Sequence, residues 1–296
     1  VLFGFSMLGQ APAESTPEPA APESPAARSI VYLLPIKGEI NDLTFRFLER
    51  GVEAAREAGA QTVVFDVDTP GGLVSSAIDI STLIKDMADI HTVAWVNPEA
   101  ISAGSLISLA ANEIVITTRA KIGDCAAIMV GPQGMQSLGE TERAKIDSYI
   151  LAEFRDSAKA NNYPIALCET MVTLGPAVYM IRNVETDEKL FIYEDQLSIY
   201  DISPDDLRKF NIDTVTASDS KEEAEIAEEP EVAATWQIEK LVLKERSLLT
   251  MLTDEAVEYG FATAVIETED ELLAHLGQAD AELIRHMRPT LSELGE

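Results

Sequence analysis

Hydrophobic positions along this chain switch repeatedly between a strand-like and a helix-like spacing. Residues 30–36 form an apolar, β-branched run that predicts a strand. Residues 41–58 set Phe45, Leu48, Val52 and Ala55 on one side of a helix that Gly59 stops. The alternation then repeats: a buried strand over 62–67, a helix over 73–87, a strand over 91–96, a helix over 102–111 and a strand over 113–117. Such repetition predicts an α/β domain in which helices cover a mostly parallel sheet. A glycine-bearing, irregular stretch over 131–139 leads into a helix over 140–160.

Beyond residue 177 the pattern shortens. Residues 177–181 and 189–193 read as strands around Glu185-Thr186-Asp187-Glu188, and 236–243 as a third. Between them 201–231 is strongly acidic, and 221–231 is expected to be mobile. Thr253-Asp254-Glu255 caps a short helix ending near Gly260, followed by a last strand over 262–266 and helical residues over 269–276. At the other end, an apolar run over 1–9 is too short to span a bilayer and leads into a Pro-, Ala- and Glu-rich segment. That combination resembles the end of a leader or anchor followed by a tether, with a frayed N-terminus of a cytosolic protein as the alternative. The expected organisation is a leader remnant and linker over 1–28 and an α/β domain over 29–174 that 248–278 completes. A β-rich acidic subdomain over 175–247 interrupts that domain, and a tail covers 279–296.

Composition narrows the function classes. The net charge of −29 argues against nucleic acid, whose phosphates this surface would repel, and against plain electrostatic docking on an anionic membrane. A hydrophobic content of 46% over 296 residues supplies a substantial core. Cys125 and Cys168 have no metal-ligand spacing and read as two buried thiols, or as one disulfide if the domain lies outside the cytoplasm. No metal or cofactor is expected.

The candidate chemistry lies in two turns. Asp68-Thr69-Pro70-Gly71-Gly72 follows one predicted strand, and Ile101-Ser102-Ala103-Gly104-Ser105 enters a predicted helix. A strand-to-helix turn carrying serine beside glycine backbone is one way to build a nucleophile and an oxyanion hole. Gly71 and Gly72 have no Cβ to block a substrate, and the N–H of Ala103 offers a further donor. Ser102 is equally suited to act as an ordinary helix N-cap. His91, His275 and His286 lie near neither turn, so a serine nucleophile here lacks a histidine base. A lysine held neutral is the physical alternative, and Lys121, Lys145 and Lys159 are the candidates. On a helical wheel Ile146, Ile150 and Phe154 mark the apolar side and Lys145 falls off it, so periodicity does not choose among them.

A resemblance does. The segments Val31-Tyr32-Leu33-Leu34-Pro35-Ile36-Lys37-Gly38-Glu39-Ile40, Phe65-Asp66-Val67-Asp68-Thr69-Pro70-Gly71-Gly72, Ala94-Trp95-Val96-Asn97-Pro98-Glu99-Ala100-Ile101-Ser102-Ala103-Gly104 and Ala120-Lys121-Ile122-Gly123 carry it. With the later stretch 249–260, they resemble the NfeD group of ClpP-class serine proteases, membrane-bound relatives of signal peptide peptidase. The resemblance implies a ClpP/crotonase fold and a Ser-Lys dyad, and the acidic insert over 185–231 is longer than the minimal family pattern. Ser102 matches the family's nucleophile, Lys145 in Ala144-Lys145-Ile146 its base, and Gly72 and Ala103 its oxyanion donors, with Gly71 in the same substrate-binding turn. It further implies a polypeptide substrate with an apolar segment, including stomatin-like membrane proteins, a homo-oligomer, and an extracytoplasmic, membrane-associated location. Two competing readings share the fold: an inactive scaffold that binds a stomatin-type partner, and an acyl-CoA enzyme of the crotonase type. The second would want basic residues for the CoA phosphates, and the chain suggests no such site.

Overall fold

The computed structural model describes residues 28–131, 134–136, 139–203, 205–210 and 235–287. Apart from Arg28, the expected leader and linker lie outside the described residues, as does the acidic stretch 221–231. From the N-terminus the elements run β1 (Ile30–Lys37), α1 (Asp42–Glu57), β2 (Thr62–Thr69), α2 (Val74–Lys85), β3 (His91–Ile101), α3 (Ala103–Ala110), β4 (Glu113–Ile116) and β5 (Lys121–Gly123). A small hairpin, β6 (Met129–Gly131) and β7 (Gly134–Gln136), precedes α4 (Glu140–Asn161) and α5 (Ile165–Thr170). There follow β8 (Val178–Asn183), β9 (Lys189–Tyr193), a 3₁₀ helix (Glu194–Tyr200) and β10 (Trp236–Leu243). The chain ends through β11 (Thr250–Leu252), α6 (Thr253–Glu258), β12 (Ala264–Val265), α7 (Glu269–His275) and β13 (Glu282–Arg285).

The main sheet has the order β11-β5-β3-β2-β1-β13, with β4 also on β3 and β12 on β4. Its pairs are parallel except β11 with β5. Strand alternation sends Val63, Phe65 and Val67 into the larger core and Val64 into the other. Helices α1 to α5 close the first face through residues such as Leu48, Ile80, Leu106, Phe154 and Leu167. Leu272 and Leu273 of α7, with Ile266, cover Val31, Val64 and Trp95 on the second. Helix α1 begins where Asn41 Oδ1 accepts from the N–H groups of Leu43 and Thr44 at 3.0 and 3.1 Å. Among the described residues no helix is long and apolar enough to cross a membrane.

Strand β3 positions the site. Its first half pairs with β4 from Val93 to Val96, and its last three residues pair with β5. The apolar run stops at residue 96, and Pro98 reads as a breaker within a central strand. A partner distant in sequence carries the strand on to Ile101 and so brings Ser102 beside the end of β2. Other elements also owe their form to such partners. Glu282–Arg285, in the expected tail, lies parallel to β1, and the β6–β7 hairpin, which begins at Met129, reaches into the stretch 131–139 expected to be irregular. Of Thr253-Asp254-Glu255, Glu255 makes the capping bond, its Oε2 accepting from Leu252 N at 2.9 Å, while Thr253 is engaged elsewhere. Its hydroxyl donates to Thr117 O at 2.8 Å and accepts from Ala120 N at 3.0 Å, tying α6 to the β4–β5 loop.

Strands β8, β9 and β10 form a separate antiparallel sheet, ordered β10-β8-β9. Val178 points into the main core, whereas Tyr179 and Ile181 join Ile192, Leu197 and Ile202 in a cluster of their own.

Glu113 ties three segments together at the far end of the sheet. Its carboxylate accepts from His275 Nε2 at 2.7 Å, Thr263 Oγ1 at 2.5 Å and His91 Nε2 at 3.2 Å. Burial alone would push this carboxyl up, but the donors from His275, Thr263 and His91 outweigh it and hold the pKa below the usual carboxylate range. A carboxyl depressed by folding contributes stability above its unfolded pKa of about 4.3, and loses it as pH falls through the folded value. Glu113→Gln is expected to cost about 1–3 kcal/mol at pH 7, with the gap to wild type closing in acid. Denaturant titrations at a series of pH values check this, and a constant gap would contradict it.

Candidate active site

Ser102 has φ 55° and ψ −118° between β3 and α3, a conformation usually left to glycine at the first corner of a tight turn. Four hydrogen bonds hold it there. Its N–H donates to Gly123 O at 3.0 Å, and its carbonyl accepts from Ser105 N at 3.0 Å, Ser105 Oγ at 2.7 Å and Leu106 N at 3.4 Å. The residue stands at the N-cap position of α3, yet its side chain makes no capping bond. The hydroxyl is therefore left half-buried at the tip of a sharp strand-to-helix turn, the geometry in which a nucleophilic serine is presented.

The Pro-Gly-Gly turn faces it. A Cβ on Gly71 would stand 2.6 Å from Ser102 Cβ and 3.0 Å from Ser102 Oγ, so this turn closes on the serine only as glycine. Gly71 also has φ 110°, a value side chains rarely adopt. Its N–H donates to Thr69 Oγ1 at 3.0 Å and is not free for a ligand. Gly72 differs. It lies against Ile40, whose N–H donates to Gly71 O at 2.9 Å and whose carbonyl accepts from Leu73 N at 2.8 Å. That ladder uses the peptide groups on either side of Gly72 and leaves its own N–H without an acceptor among the described residues. The N–H of Ala103, first in α3, has no acceptor there either.

Ser102, Gly72 and Ala103 line one narrow cavity of about 50 Å³. Its other walls include Val74, Leu106 and Ile150, together with Cys125. Cys125 is the site residue that sequence reasoning left among ordinary buried thiols. Its separation of 23 positions from Ser102 gives no motif, and only the pairing of β5 with β3 brings the two together. The structure thus gathers Ser102, Gly71, Gly72 and Ala103. Lys145 lies elsewhere, on the exposed side of α4, where Ile146 and Ile150 turn inward. Lys121 pairs with Glu99 at 3.5 Å, Lys159 is exposed near the end of α4, and among the described residues no lysine lines the cavity.

Ser102 thus stands on a strained strand-to-helix turn beside two amides that have no acceptor among the described residues, on a helix-covered and mostly parallel sheet. Comparison with known proteins gives the chain a family. The profile of the NfeD1b N-terminal domain matches residues 30–199, more than half of the chain, and the chain belongs to that family. Membrane protein NfeD1b of Bacillus subtilis is 36% identical over 148 residues, covering 49% of this chain and 32% of the relative. Membrane-bound protease PH1510 of Pyrococcus horikoshii is 28% identical over 152 residues, covering 50% and 33% respectively. The aligned region thus spans about a third of the length of these curated relatives. Among solved structures, the 1510-N membrane-bound stomatin-specific protease, as a lysine-to-alanine mutant in complex with a substrate peptide, superposes with a TM-score of 0.59. That match has 18% identity and covers 90% of this chain and 96% of the other. A serine-to-alanine mutant of the same protease gives 0.57 at 18% identity, covering 89% and 100%. At that identity the likeness establishes the shared fold.

The clearance at the two turns is testable by stability alone. Gly71→Ala is expected to cost about 1–3 kcal/mol through overpacking and backbone strain, whereas Gly175→Ala, in open space, is expected to leave stability within about 0.5 kcal/mol. Urea denaturation midpoints compare them, and equal midpoints would contradict the packing described.

Proposed function

We propose that this chain carries a serine peptidase domain in which Ser102 is the nucleophile and Lys145 the base. The observation that carries the reading is Ser102 at φ 55°, uncapped, sharing a cavity with the unpartnered amides of Gly72 and Ala103. Ser102 Oγ attacks the scissile carbonyl, and the oxyanion that forms is held between the N–H groups of Gly72 and Ala103. One such donor is worth roughly 3–4 kcal/mol in the transition state. Gly71 keeps the approach open, its own N–H being engaged by Thr69. Neutral Lys145 takes the serine proton and returns it to the leaving amine. Because Lys145 is exposed in the isolated chain, the reading requires α4 to bring it inward when substrate or a second copy of the chain closes the site.

Substrate class follows from the walls. Val74, Leu106 and Ile150 line the cavity, and exposed Leu73, Ile128 and Tyr149 lie at or next to lining positions. Apolar walls favour an apolar segment of polypeptide. The family relatives are a named membrane protein and a named membrane-bound protease, and the structural neighbour is named as stomatin-specific. They support membrane association and a stomatin-like partner for this chain, with an extracytoplasmic location and a homo-oligomer as the finer reading. The solved mutants of that neighbour replace one serine and one lysine, the two residue types proposed here.

A second reading has one observation in its favour: among the described residues no lysine lines the cavity, as expected of a scaffold that binds such a partner without cutting it. Cleavage of apolar peptides by wild type, Ser102→Ala and Lys145→Ala separates the two. The peptidase reading expects each substitution to lower kcat at least about 10³-fold with little change in binding. Binding without cleavage in the wild type would establish the scaffold. Cleavage unaffected by Lys145→Ala would reassign the base.

A further inference from the structure

We infer that Thr69 is a positioning residue that sets the two oxyanion donors of this site relative to one another. The inference rests on the peptidase reading above. Thr69 is the last residue of β2, fully buried, and pairs with Ala100 of β3, two residues before Ser102. Its hydroxyl serves the Pro-Gly-Gly turn: Thr69 Oγ1 accepts from Gly71 N at 3.0 Å and donates to Gly71 O in a longer contact of 3.4 Å. Its methyl serves α3. A Cβ on Gly104 would stand 2.6 Å from Thr69 Cγ2, so the helix approaches this closely because residue 104 is glycine. One side chain therefore touches both the turn that carries Gly72 and the helix that begins at Ala103.

The hydroxyl decides which amide of the turn is free. Pro70 has no N–H, and the N–H of Leu73 donates to Ile40 O at 2.8 Å. Between them stand the amides of Gly71 and Gly72, and Thr69 takes the first. A threonine hydroxyl that closes on the N–H two residues ahead makes a local turn of its own and fixes the peptide planes within it. The Gly72 N–H is what remains, at the cavity that Ser102 and Ala103 also line. The methyl decides the other half. Gly104 follows Ala103 in the first turn of α3, so the depth at which the helix rests on Thr69 sets where the Ala103 N–H stands. An oxyanion is held only when both donors meet one oxygen, and a misplacement of about 1 Å can cost about a hundredfold in rate.

Two substitutions separate the halves. Thr69→Val keeps the shape and removes the hydroxyl, and Thr69→Ser keeps the hydroxyl and removes the methyl. Thr69→Val is expected to lower kcat on an apolar peptide at least about tenfold with KM unchanged, and to weaken an apolar peptide boronic acid by a similar factor. Thr69→Ser is expected to keep both within about threefold of wild type. The hydrogen bond is read without activity: by NMR the Gly71 amide proton is expected to move upfield in Thr69→Val and to stay in place in Thr69→Ser. The methyl is read through Gly104→Ala, expected to lower kcat about tenfold by pushing on Thr69 Cγ2, and through its combination with Thr69→Ser, where Cγ2 is gone and the rate is expected to recover. That pair decides the inference even where Thr69→Val fails to fold. Unchanged kcat and boronic acid affinity in Thr69→Val, with a cleaving wild type, overturn the inference and leave the peptidase reading standing. Equal losses in Thr69→Val and Thr69→Ser, with melting temperatures lowered together, mark a merely structural residue and overturn it too. A loss in Gly104→Ala that Thr69→Ser does not relieve overturns the part given to the methyl. A wild type that neither cleaves the peptide nor binds the boronic acid overturns the peptidase reading itself, while the Gly71 proton still decides the hydrogen bond.

Discussion

The turn after β2 is wedged between two neighbours that leave it no room for side chains. Ile40 crosses one side, exchanging hydrogen bonds with the peptide groups flanking Gly72, and Ser102 stands on the other, against Gly71. This close approach of three backbone segments makes the site. It sets the serine and Gly72 around one cavity, and because Ile40 bonds Gly71 O and Leu73 N, the Gly72 N–H is left without an acceptor among the described residues. An unpaired N–H in a walled cavity is unfavourable in the resting protein and becomes useful when negative charge develops beside it. The strained φ of Ser102 belongs to the same economy of structure, since bonds from Gly123 and Ser105 hold a conformation the residue would not choose alone.

Much of the fold was legible in the sequence because its central strands are buried on both faces and its helices repeat at helical spacing. The run from β1 to α3 follows the predicted order, and the β-rich insertion shows in the shortened pattern after residue 177. What the pattern could not show are elements whose partners lie far along the chain. The second half of β3 exists through its pairing with β5, and β13 through its pairing with β1. The same limit governed the site. Gly71, Gly72, Ser102 and Ala103 were readable because each sits in a short motif with its own steric logic. Cys125 was not, since its place in the wall depends on long-range pairing and on a tie to Met171.

Lys145, the proposed base, is where local reading and tertiary structure meet least. Helix α4 turns Ile146 and Ile150 inward, and that orientation carries Lys145 outward in the isolated chain. A lysine kept in water holds its proton, and a lysine drawn into an apolar wall gives it up. An arrangement that admits the lysine only on closure would keep the serine idle until then. Family membership and a shared fold make this arrangement a natural one to test, since function resides in the site and not in the fold that carries it.

The most direct measurement is a crystal structure of the chain with an apolar peptide boronic acid. The account predicts a tetrahedral boronate bonded to Ser102 Oγ, with one boronate oxygen about 2.7–3.1 Å from both the Gly72 and Ala103 nitrogens. Lys145 Nζ is then expected within hydrogen-bond reach of Ser102 Oγ. A boronate bound away from Ser102, or bonded to it with its oxygens facing neither amide, would contradict the account.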